Sequence, residues 1–191
     1  EFEPGIIRMS TGELSPELMR TEITSEVLKR LSTKNVFMNY PDQMGMPGLR
    51  SALQEHLRRI GIDVPLSCIL IVSGALQALQ LISTGIVKAK STVYVEAPSY
   101  LASLNIFQSV GAQLKGVPMD SNGLSYWMIQ EQKAVPQHSL LYTIPTFQNP
   151  TGGVMPMSRR VEVLNYCRNA HIPIIEDDVL RDLWLEEEPP L

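Results

Sequence analysis

Short apolar runs alternate with amphipathic segments along most of the chain, and this alternation constrains the fold more than any other feature. Candidate strands lie at 69–72, 92–95, 113–117, 140–144 and 172–175. Candidate helices lie at about 21–32, at 49–60, after Ser73, at 100–110, near 124–133 and from Ser158 to about 170. Strands that alternate with helices pair mainly in parallel, and helices then cover both faces of the sheet. The sequence therefore predicts a three-layer α/β/α fold with a mainly parallel sheet.

Serines precede two of the predicted helices and are expected to cap them. Ser73 and Ser158 stand where a side-chain hydroxyl accepts a hydrogen bond from a free backbone N–H of the first turn. The helix at 49–60 is expected to stop at Gly61, because glycine favours the left-handed conformation that ends helices. The apolar face of the helix after Ser73 is predicted to consist of Leu76, Leu79, Ile82 and Ile86.

The composition is that of an ordinary globular domain. The chain has 191 residues, of which 44% are apolar and 19% charged, enough for one sizeable core. Its net charge of −4 argues against a nucleic-acid-binding surface in this segment, without excluding a basic domain elsewhere. No run of about 18 apolar residues is present, so no membrane span is expected. Cys68 and Cys167 lie in apolar stretches and are expected to be buried free thiols, which is typical of a cytoplasmic protein.

Residues that could bind a ligand or take part in chemistry collect directly after the predicted strands. In open parallel sheets, ligands bind beyond the carboxyl ends of the strands. The segments at those positions are Ser73–Ala75, Glu96–Tyr100, Pro145–Gly152 and Glu176–Asp178. The glycine-rich fingerprint of dinucleotide-binding folds and the phosphate-binding P-loop motif are both absent from the sequence.

Each segment has a structural explanation as well as a functional one. Gly74 and Ala75 begin a helix, where backbone N–H groups either bind an anion or are simply capped. Tyr100 either stacks on a planar ring or packs at the edge of the core. Asn149, before a proline, either binds a ligand through its amide or forms a turn. Asp177 either pairs with a protonated ring nitrogen or is a helix cap or surface acid.

In combination, these segments resemble the fold-type I enzymes that use pyridoxal 5′-phosphate (PLP), the aspartate-aminotransferase-like superfamily. The matching stretches are Tyr40–Gly45, Gly48–Arg50, Val72–Leu79, Glu96–Tyr100, Pro145–Gly152 and Ile174–Asp178. The resemblance covers nearly the whole chain. It implies that the fold is the large-domain portion of such an enzyme, preceded by an N-terminal arm.

The resemblance implies one role for each of five residues around the cofactor. Asp177 would pair with the pyridine nitrogen, and Asn149 would hydrogen-bond the phenolic oxygen of the ring. Tyr100 would stack on the ring, while Gly74 and Ala75 would present backbone N–H groups to the phosphate. No metal site is implied.

Two further residues are implied to lie near a second subunit or the substrate. Sites of this superfamily are built at a dimer interface, so Tyr40 would reach the phosphate or substrate zone of a partner subunit. Gly12, in the N-terminal arm, would lie near the carboxylate of an amino-acid or amine ligand. A homodimer is therefore expected.

The sequence departs from the superfamily pattern in ways that bear on chemistry. Many relatives have a polar residue where Ala75 or Leu76 stands, so phosphate binding would depend on the backbone. The Schiff-base lysine lies downstream of the aspartate in this superfamily, whereas every lysine here precedes Asp177: Lys29, Lys34, Lys88, Lys90, Lys115 and Lys133. No catalytic residue is therefore assigned. This chain alone is expected to bind PLP weakly or not at all, and to be inactive.

The expected organisation is an N-terminal arm and helix at 1–35, followed by a partial PLP-binding large domain at 36–191. That domain is expected to be truncated before the Schiff-base lysine and the small C-terminal domain. The amino-acid sequences of three segments resemble those of the MocR branch of GntR-type transcriptional regulators; the segments are Tyr142–Gly152, Met157–Arg160 and Ile175–Asp178. There, an aminotransferase-like domain senses an effector, and a separate domain binds DNA. A stand-alone aminotransferase and a structural fragment without cofactor remain the alternatives.

Overall fold

The computed structural model describes residues 12, 18, 21–33, 42–131 and 136–191. The chain divides into two compact units, Glu1–Met46 and Pro47–Leu191. In the first unit, α1 (Thr21–Ser32) has the bounds that the sequence predicts, and an exposed Arg30–Glu26 ion pair joins successive turns. Residues 42–45 form a turn in which the Asp42 carboxylate accepts the Met44 N–H.

The second unit contains an alternating series of helices and strands. The helices are α2 (Pro47–Arg59), α3 (Ala75–Ile86), α4 (Leu101–Ser109), α5 (Trp127–Gln130) and α6 (Met157–Asn169). The strands are β1 (Thr92–Ala97), β2 (Gln113–Asp120), β3 (Gly123–Leu124), β4 (Leu140–Thr143) and β5 (Ile174–Glu176). Short 3-10 helices lie at Leu66–Cys68 and Arg181–Leu183.

The five strands form one sheet in the order β3-β2-β1-β4-β5. The pairs β2–β1, β1–β4 and β4–β5 are parallel, and β3 is antiparallel to β2. The register places Val95 beside Tyr142 and Tyr142 beside Ile175. The carboxyl ends of the parallel strands therefore meet at one edge, as the sequence predicts.

Alternate residues of the central strands point into two separate cores. Val93 of β1 and Tyr142 of β4 face α3 and α4, packing with Leu79 and Phe107. Tyr94 and Leu141 face the other side and pack with side chains of α5 and α6, including Ile129, Val163 and Cys167. Helices thus cover both faces of the sheet, and the predicted three-layer architecture is confirmed.

Several local predictions are wrong. Residues 69–72 form no strand, since they pair with no strand in the described part of the chain. Gly74, rather than Ser73, is the N-cap of α3, and Pro156, rather than Ser158, is that of α6. Of the predicted helix near 124–133, the described residues 124–131 contain only the four helical residues of α5, because Gly123–Leu124 pairs with β2 instead.

The buried face of α3 is narrower than its sequence pattern suggests. Leu79 is 4% exposed, whereas Leu76 and Ile86 are 45% and 64% exposed. Ser83 is fully buried on the same face as Leu79. The side of α3 that packs on the sheet is therefore defined by Leu79 and small residues rather than by the full aliphatic stripe.

None of the helices described in the structure combines the length and apolarity needed to cross a bilayer.

The two cysteines differ in environment, and the prediction that both are buried is wrong for one of them. Cys68 is exposed at the end of the short 3-10 helix, whereas Cys167 lies on the buried face of α6, in the core. Burial raises the pKa of the Cys167 thiol to about 11. Because the thiolate is the reactive form, Cys167 is protected both sterically and by its protonation.

We expect one thiol of the 191-residue chain to react rapidly with a chromogenic disulfide reagent at neutral pH, and both to react in denaturant. Cys68→Ser should remove the rapid phase and leave the slow one, because only Cys167 then remains. Stopped-flow absorbance of the released chromophore measures both phases. Equal native-state rates for the two thiols would contradict the burial of Cys167.

Candidate functional site

Asp177 provides a buried carboxylate at the carboxyl end of β5. Its backbone N–H donates to the Thr143 carbonyl at 3.0 Å, which continues the β4–β5 pairing by one residue. Its Oδ2 accepts a hydrogen bond from the Tyr142 hydroxyl at 2.7 Å. The residue is 9% exposed, so Asp177 is largely enclosed by the fold.

Tyr142, the partner of Asp177, is locked in the core on the α3–α4 side of the sheet. Its side chain is fully buried, and its ring meets Phe107 edge-on with 5.4 Å between centroids. Burial, together with the neighbouring Asp177 carboxylate, raises the pKa of the Tyr142 hydroxyl well above its ordinary value. The hydroxyl is therefore protonated and serves as a hydrogen-bond donor.

Ser103 extends this pair towards Tyr100. The fully buried Ser103 side chain lies against the Tyr142 hydroxyl, and its Oγ donates to the Tyr100 carbonyl at 2.6 Å. Sequence reasoning did not single out Tyr142 or Ser103 as functional. The available signal was a hydroxyl within an aliphatic strand, Leu140-Leu141-Tyr142, since a buried hydroxyl needs a partner.

Tyr100 is the N-cap of α4 and lies half-buried against the core cluster that contains Tyr142. It is therefore on the same side of the sheet as the Asp177–Tyr142 pair. Beside it, the buried Ser99 hydroxyl has no hydrogen-bond partner among the described residues. A polar atom of this kind leaves capacity for one further partner at the strand end.

The first turn of α3 has the features of an anion site. Gly74 adopts a φ of +95°, and a Cβ added there would meet nothing within 4 Å, so the space before the helix is open. No side chain caps the helix; the Gln77 side chain instead accepts the Ser73 N–H at 2.5 Å. The N–H groups that begin a helix have no partner within it and carry a positive partial charge. They are therefore available to a phosphate.

Glu96 anchors the strand ends from inside the sheet. It is 1% exposed and accepts hydrogen bonds from the Thr143 hydroxyl, the Ile144 N–H at 3.2 Å and the Gln148 amide at 3.0 Å. Burial raises the pKa of the Glu96 carboxyl, and these three bonds partly oppose that shift. The carboxylate thereby ties the end of β1 to the segment that follows β4.

Gln148 fixes the base of the loop that carries Asn149. Its Nε2 also donates to the Pro98 carbonyl at 2.9 Å, and its Oε1 accepts the Thr151 N–H at 2.9 Å and hydroxyl at 2.7 Å. The Ala97–Pro98 and Asn149–Pro150 peptide bonds are both cis. Asn149 itself is exposed at the tip of this loop.

Two largely buried arginines hold the chain on either side of Asp177. Arg160 and Arg181 both donate to the Thr146 hydroxyl, at 3.0 and 3.2 Å. Arg181 also pairs with Asp178 and donates to the Pro189 and Pro190 carbonyls. The segment that follows Asp177 is thus folded back and fixed to the loop after β4.

The structure brings some of the predicted residues together and leaves others apart. Asp177 and Tyr100 are linked through Tyr142 and Ser103, and α3 packs on the same face of the sheet. Asn149 is exposed, and within the described residues no hydrogen bond joins it to Asp177. Gly12 is exposed in the first unit, and the prediction for Tyr40 falls outside the described residues.

A cavity of about 320 Å³ opens at the same edge of the sheet but beside different residues. Its lining includes Glu96, Asp120, Gln148 and Met155, and does not include Gly74, Tyr100 or Asp177. Among the described residues, no group of three or more potential metal ligands lies together. The chemistry of the site therefore rests on the carboxylate, the aromatic ring and the helix N-terminus.

These three features fit the three parts of PLP. A buried carboxylate fits a protonated ring nitrogen, a half-buried tyrosine fits the ring face, and an uncapped helix N-terminus fits the phosphate. Asp177 follows β5, Tyr100 precedes α4, and α3 and α4 pack on the same face of the sheet.

Comparison with known proteins relates this chain to aminotransferases and to transcriptional regulators. The profile of the aminotransferase class I and II family matches residues 4–188. The HTH-type transcriptional regulator YisV of Bacillus subtilis is 45% identical over 185 residues, which are 97% of this chain and 38% of the regulator. The chain thus spans well under half the length of this curated relative.

Solved structures share the fold at lower identity. An archaeal alanine:glyoxylate aminotransferase superposes with a TM-score of 0.82 and 34% identity, over 87% of this chain and 43% of that chain. LysN, the α-aminoadipate aminotransferase of Thermus thermophilus, superposes with a TM-score of 0.80 and 29% identity, over 92% of this chain and 44% of the LysN chain. It was crystallised with N-(5′-phosphopyridoxyl)-L-leucine, an amino acid joined to the cofactor.

Proposed function

Because this chain belongs to the class I and II aminotransferase family, we propose that it is the cofactor-contacting part of a PLP-binding, effector-sensing domain in a GntR/MocR-type transcriptional regulator. The higher identity to an HTH-type regulator, 45% against 34% for the archaeal aminotransferase, favours the regulator. DNA would be bound by a separate domain, and such a regulator would act in the cytoplasm.

The observation that carries the proposal is the Asp177 carboxylate, held at the carboxyl end of β5 by Tyr142. PLP supplies, when bound, a protonated ring that withdraws electrons from the carbon bearing the amino group. Asp177 would keep that ring nitrogen protonated, and Tyr100 would cover one face of the ring. Asn149 would reach the phenolic oxygen from the loop that Gln148 and Glu96 hold in place.

The expected small ligand is an amino acid or amine. LysN, whose fold this chain shares, was solved with leucine joined to the phosphopyridoxyl group. In the complete protein we expect a homodimer, in which Tyr40 reaches the partner's phosphate or substrate zone and Gly12 lies near the ligand carboxylate. These two assignments follow from the family resemblance.

We expect Ala75→Pro to weaken binding of pyridoxamine 5′-phosphate by the full-length protein about tenfold, since it removes one N–H donor to the phosphate. Proline is well tolerated at the first position of a helix, and the residue before it, Gly74, has the extended ψ of 167° that proline requires. Pyridoxamine 5′-phosphate is the chosen probe because it cannot bond covalently to a lysine. Isothermal titration calorimetry measures the dissociation constant.

Met157→Pro is the matched control, because Met157 also begins a helix after an extended residue, Pro156, but lies in α6. It should bind the probe as the wild-type protein does. If both variants lose affinity equally, the phosphate is not held by the N-terminus of α3. If the wild-type full-length protein binds neither the probe nor PLP, the chain is a structural scaffold without cofactor.

A second candidate function is that of a stand-alone aminotransferase acting on an amino acid, which the 34% identity to the archaeal enzyme supports. Steady transfer of an amino group to a 2-oxo acid by the full-length protein would favour the enzyme. A winged-helix sequence before residue 1 of this chain, with amino-ligand-dependent DNA binding, would favour the regulator.

A further inference from the structure

The Tyr142 hydroxyl holds one oxygen of the Asp177 carboxylate and leaves the other to a ligand. Oδ2 accepts from Tyr142 at 2.7 Å, and Oδ1 has no hydrogen-bond partner in the described part of the chain. The carboxylate of Asp177 can rotate about its last side-chain torsion, which is broad in energy. A single directed bond to Oδ2 removes that freedom and determines where Oδ1 points.

Tyr142 is itself immobile, so it can act as a fixed reference for Asp177. Its ring is fully buried between α4 and the sheet and packs edge-on against Phe107. Ser103 contacts its hydroxyl from α4, and Ser103 is tied in turn to the Tyr100 carbonyl. The orientation of Asp177 is thereby linked to the turn that carries Tyr100.

We propose that Tyr142 is a positioning residue that orients the Asp177 carboxylate through Oδ2 and presents Oδ1 to the ring nitrogen of the cofactor. This inference rests on the proposed function, in which Asp177 is the partner of that nitrogen. An Oδ1 held in this direction would accept a hydrogen bond from the protonated ring nitrogen and so stabilise the protonated form of the ring.

The test uses the full-length protein and pyridoxamine 5′-phosphate labelled with nitrogen-15 in the ring. Tyr142→Phe keeps the buried ring and removes only the hydroxyl. We expect the dissociation constant to rise about tenfold, since a hydrogen bond to a charged group is lost. We also expect the ring nitrogen-15 chemical shift to move from the protonated towards the neutral value, and its pH profile to move to lower pH. A purely structural role of Tyr142 would leave that chemical shift unchanged.

Tyr166→Phe is the matched control, because its buried hydroxyl has no hydrogen-bond partner among the described residues. It should leave affinity and chemical shift at the wild-type values. Ser103→Ala keeps Tyr142 and removes its second contact, so it should move the chemical shift in the same direction by a smaller amount. This variant tests the proposal even if Tyr142→Phe fails to fold.

The outcomes separate the inference from the proposed function. Wild-type binding with Tyr142→Phe and Ser103→Ala both at the Tyr166→Phe values would overturn the positioning role and leave the proposed function standing. Absence of binding by the wild-type full-length protein would overturn both. A nitrogen-15 shift in Tyr142→Phe, absent from Tyr166→Phe, would support the positioning role.

Discussion

Asp177→Asn is expected to weaken binding of pyridoxamine 5′-phosphate by the full-length protein about a hundredfold or more. The substitution preserves the shape of the side chain, and its carbonyl oxygen can still accept from the Tyr142 hydroxyl. It removes the negative charge that would face the protonated ring nitrogen in a buried position. Breaking a buried ion pair from one side costs roughly 3–5 kcal/mol, and about 1.4 kcal/mol corresponds to a factor of ten in affinity.

The control for this experiment is Asp182→Asn, five residues later in the chain. The Asp182 side chain is 71% exposed and lies 3.5 Å from His56 at the surface, so its neutralisation should not change affinity. Both dissociation constants are measured by calorimetry, with thermal unfolding recorded to verify that each variant is folded. Equal affinities of the two variants would show that Asp177 is not the partner of the ring nitrogen.

Glu96→Ala is expected to lower the free energy of unfolding by roughly 3–5 kcal/mol, because it leaves three buried donors without their acceptor. Those donors are the Thr143 hydroxyl, the Ile144 N–H and the Gln148 amide. Urea unfolding followed by tryptophan fluorescence measures the change. The exposed Glu187 provides the control, since Glu187→Ala removes an equal charge from the surface and should change stability by less than about 0.5 kcal/mol.

The pH dependence of this destabilisation is also determined by the Glu96 carboxyl. Burial raises its pKa in the folded state, so the folded protein binds this proton more tightly than the unfolded chain does. Its contribution to stability is therefore complete below the ordinary pKa and is lost as pH rises through the raised value. The difference between the wild-type protein and Glu96→Ala should be larger at acidic pH and decrease as pH rises. A difference that grows with pH would contradict this assignment.

The Glu96 network also has a consequence for the site. Gln148 loses one of two acceptors in Glu96→Ala, and Gln148 holds the loop that carries Asn149. Loss of order in that loop would affect any contact that Asn149 makes to a ligand. The stability of the strand ends and the geometry of the proposed cofactor site therefore depend on the same buried carboxylate.

The pattern of apolar residues predicted the positions of strands and helices well where that local pattern determines them. The bounds of α1 are as predicted, and β1 and β4 begin where their apolar runs begin. Such signals failed where a distant partner decides. The run at 69–72 is apolar enough for a strand, yet a strand also needs a hydrogen-bonded neighbour, and the described residues offer none.

The helix caps show the same limit at a smaller scale. Ser73 has the right residue type for an N-cap, but its own N–H is taken by the Gln77 side chain, and the helix begins after Gly74. The consequence is favourable for the proposed site, because the first turn of α3 is left without a side-chain cap. Sequence alone could place an anion site there but could not show that the serine hydroxyl leaves it open.

The sequence by itself determined the layered α/β fold and the edge at which polar residues collect, because strand–helix alternation and strand ends are local properties. It also supplied Asp177 and Tyr100 as candidates through their positions after strands, whereas the start of α3 was chosen because it follows a predicted strand that the structure does not contain. Only the tertiary structure decided which groups meet. Tyr142 and Asp177 are 35 residues apart, and Glu96 and Thr143 are 47 apart. Their contacts depend on the register of β1, β4 and β5, which is set by the packing of the whole sheet between its helices.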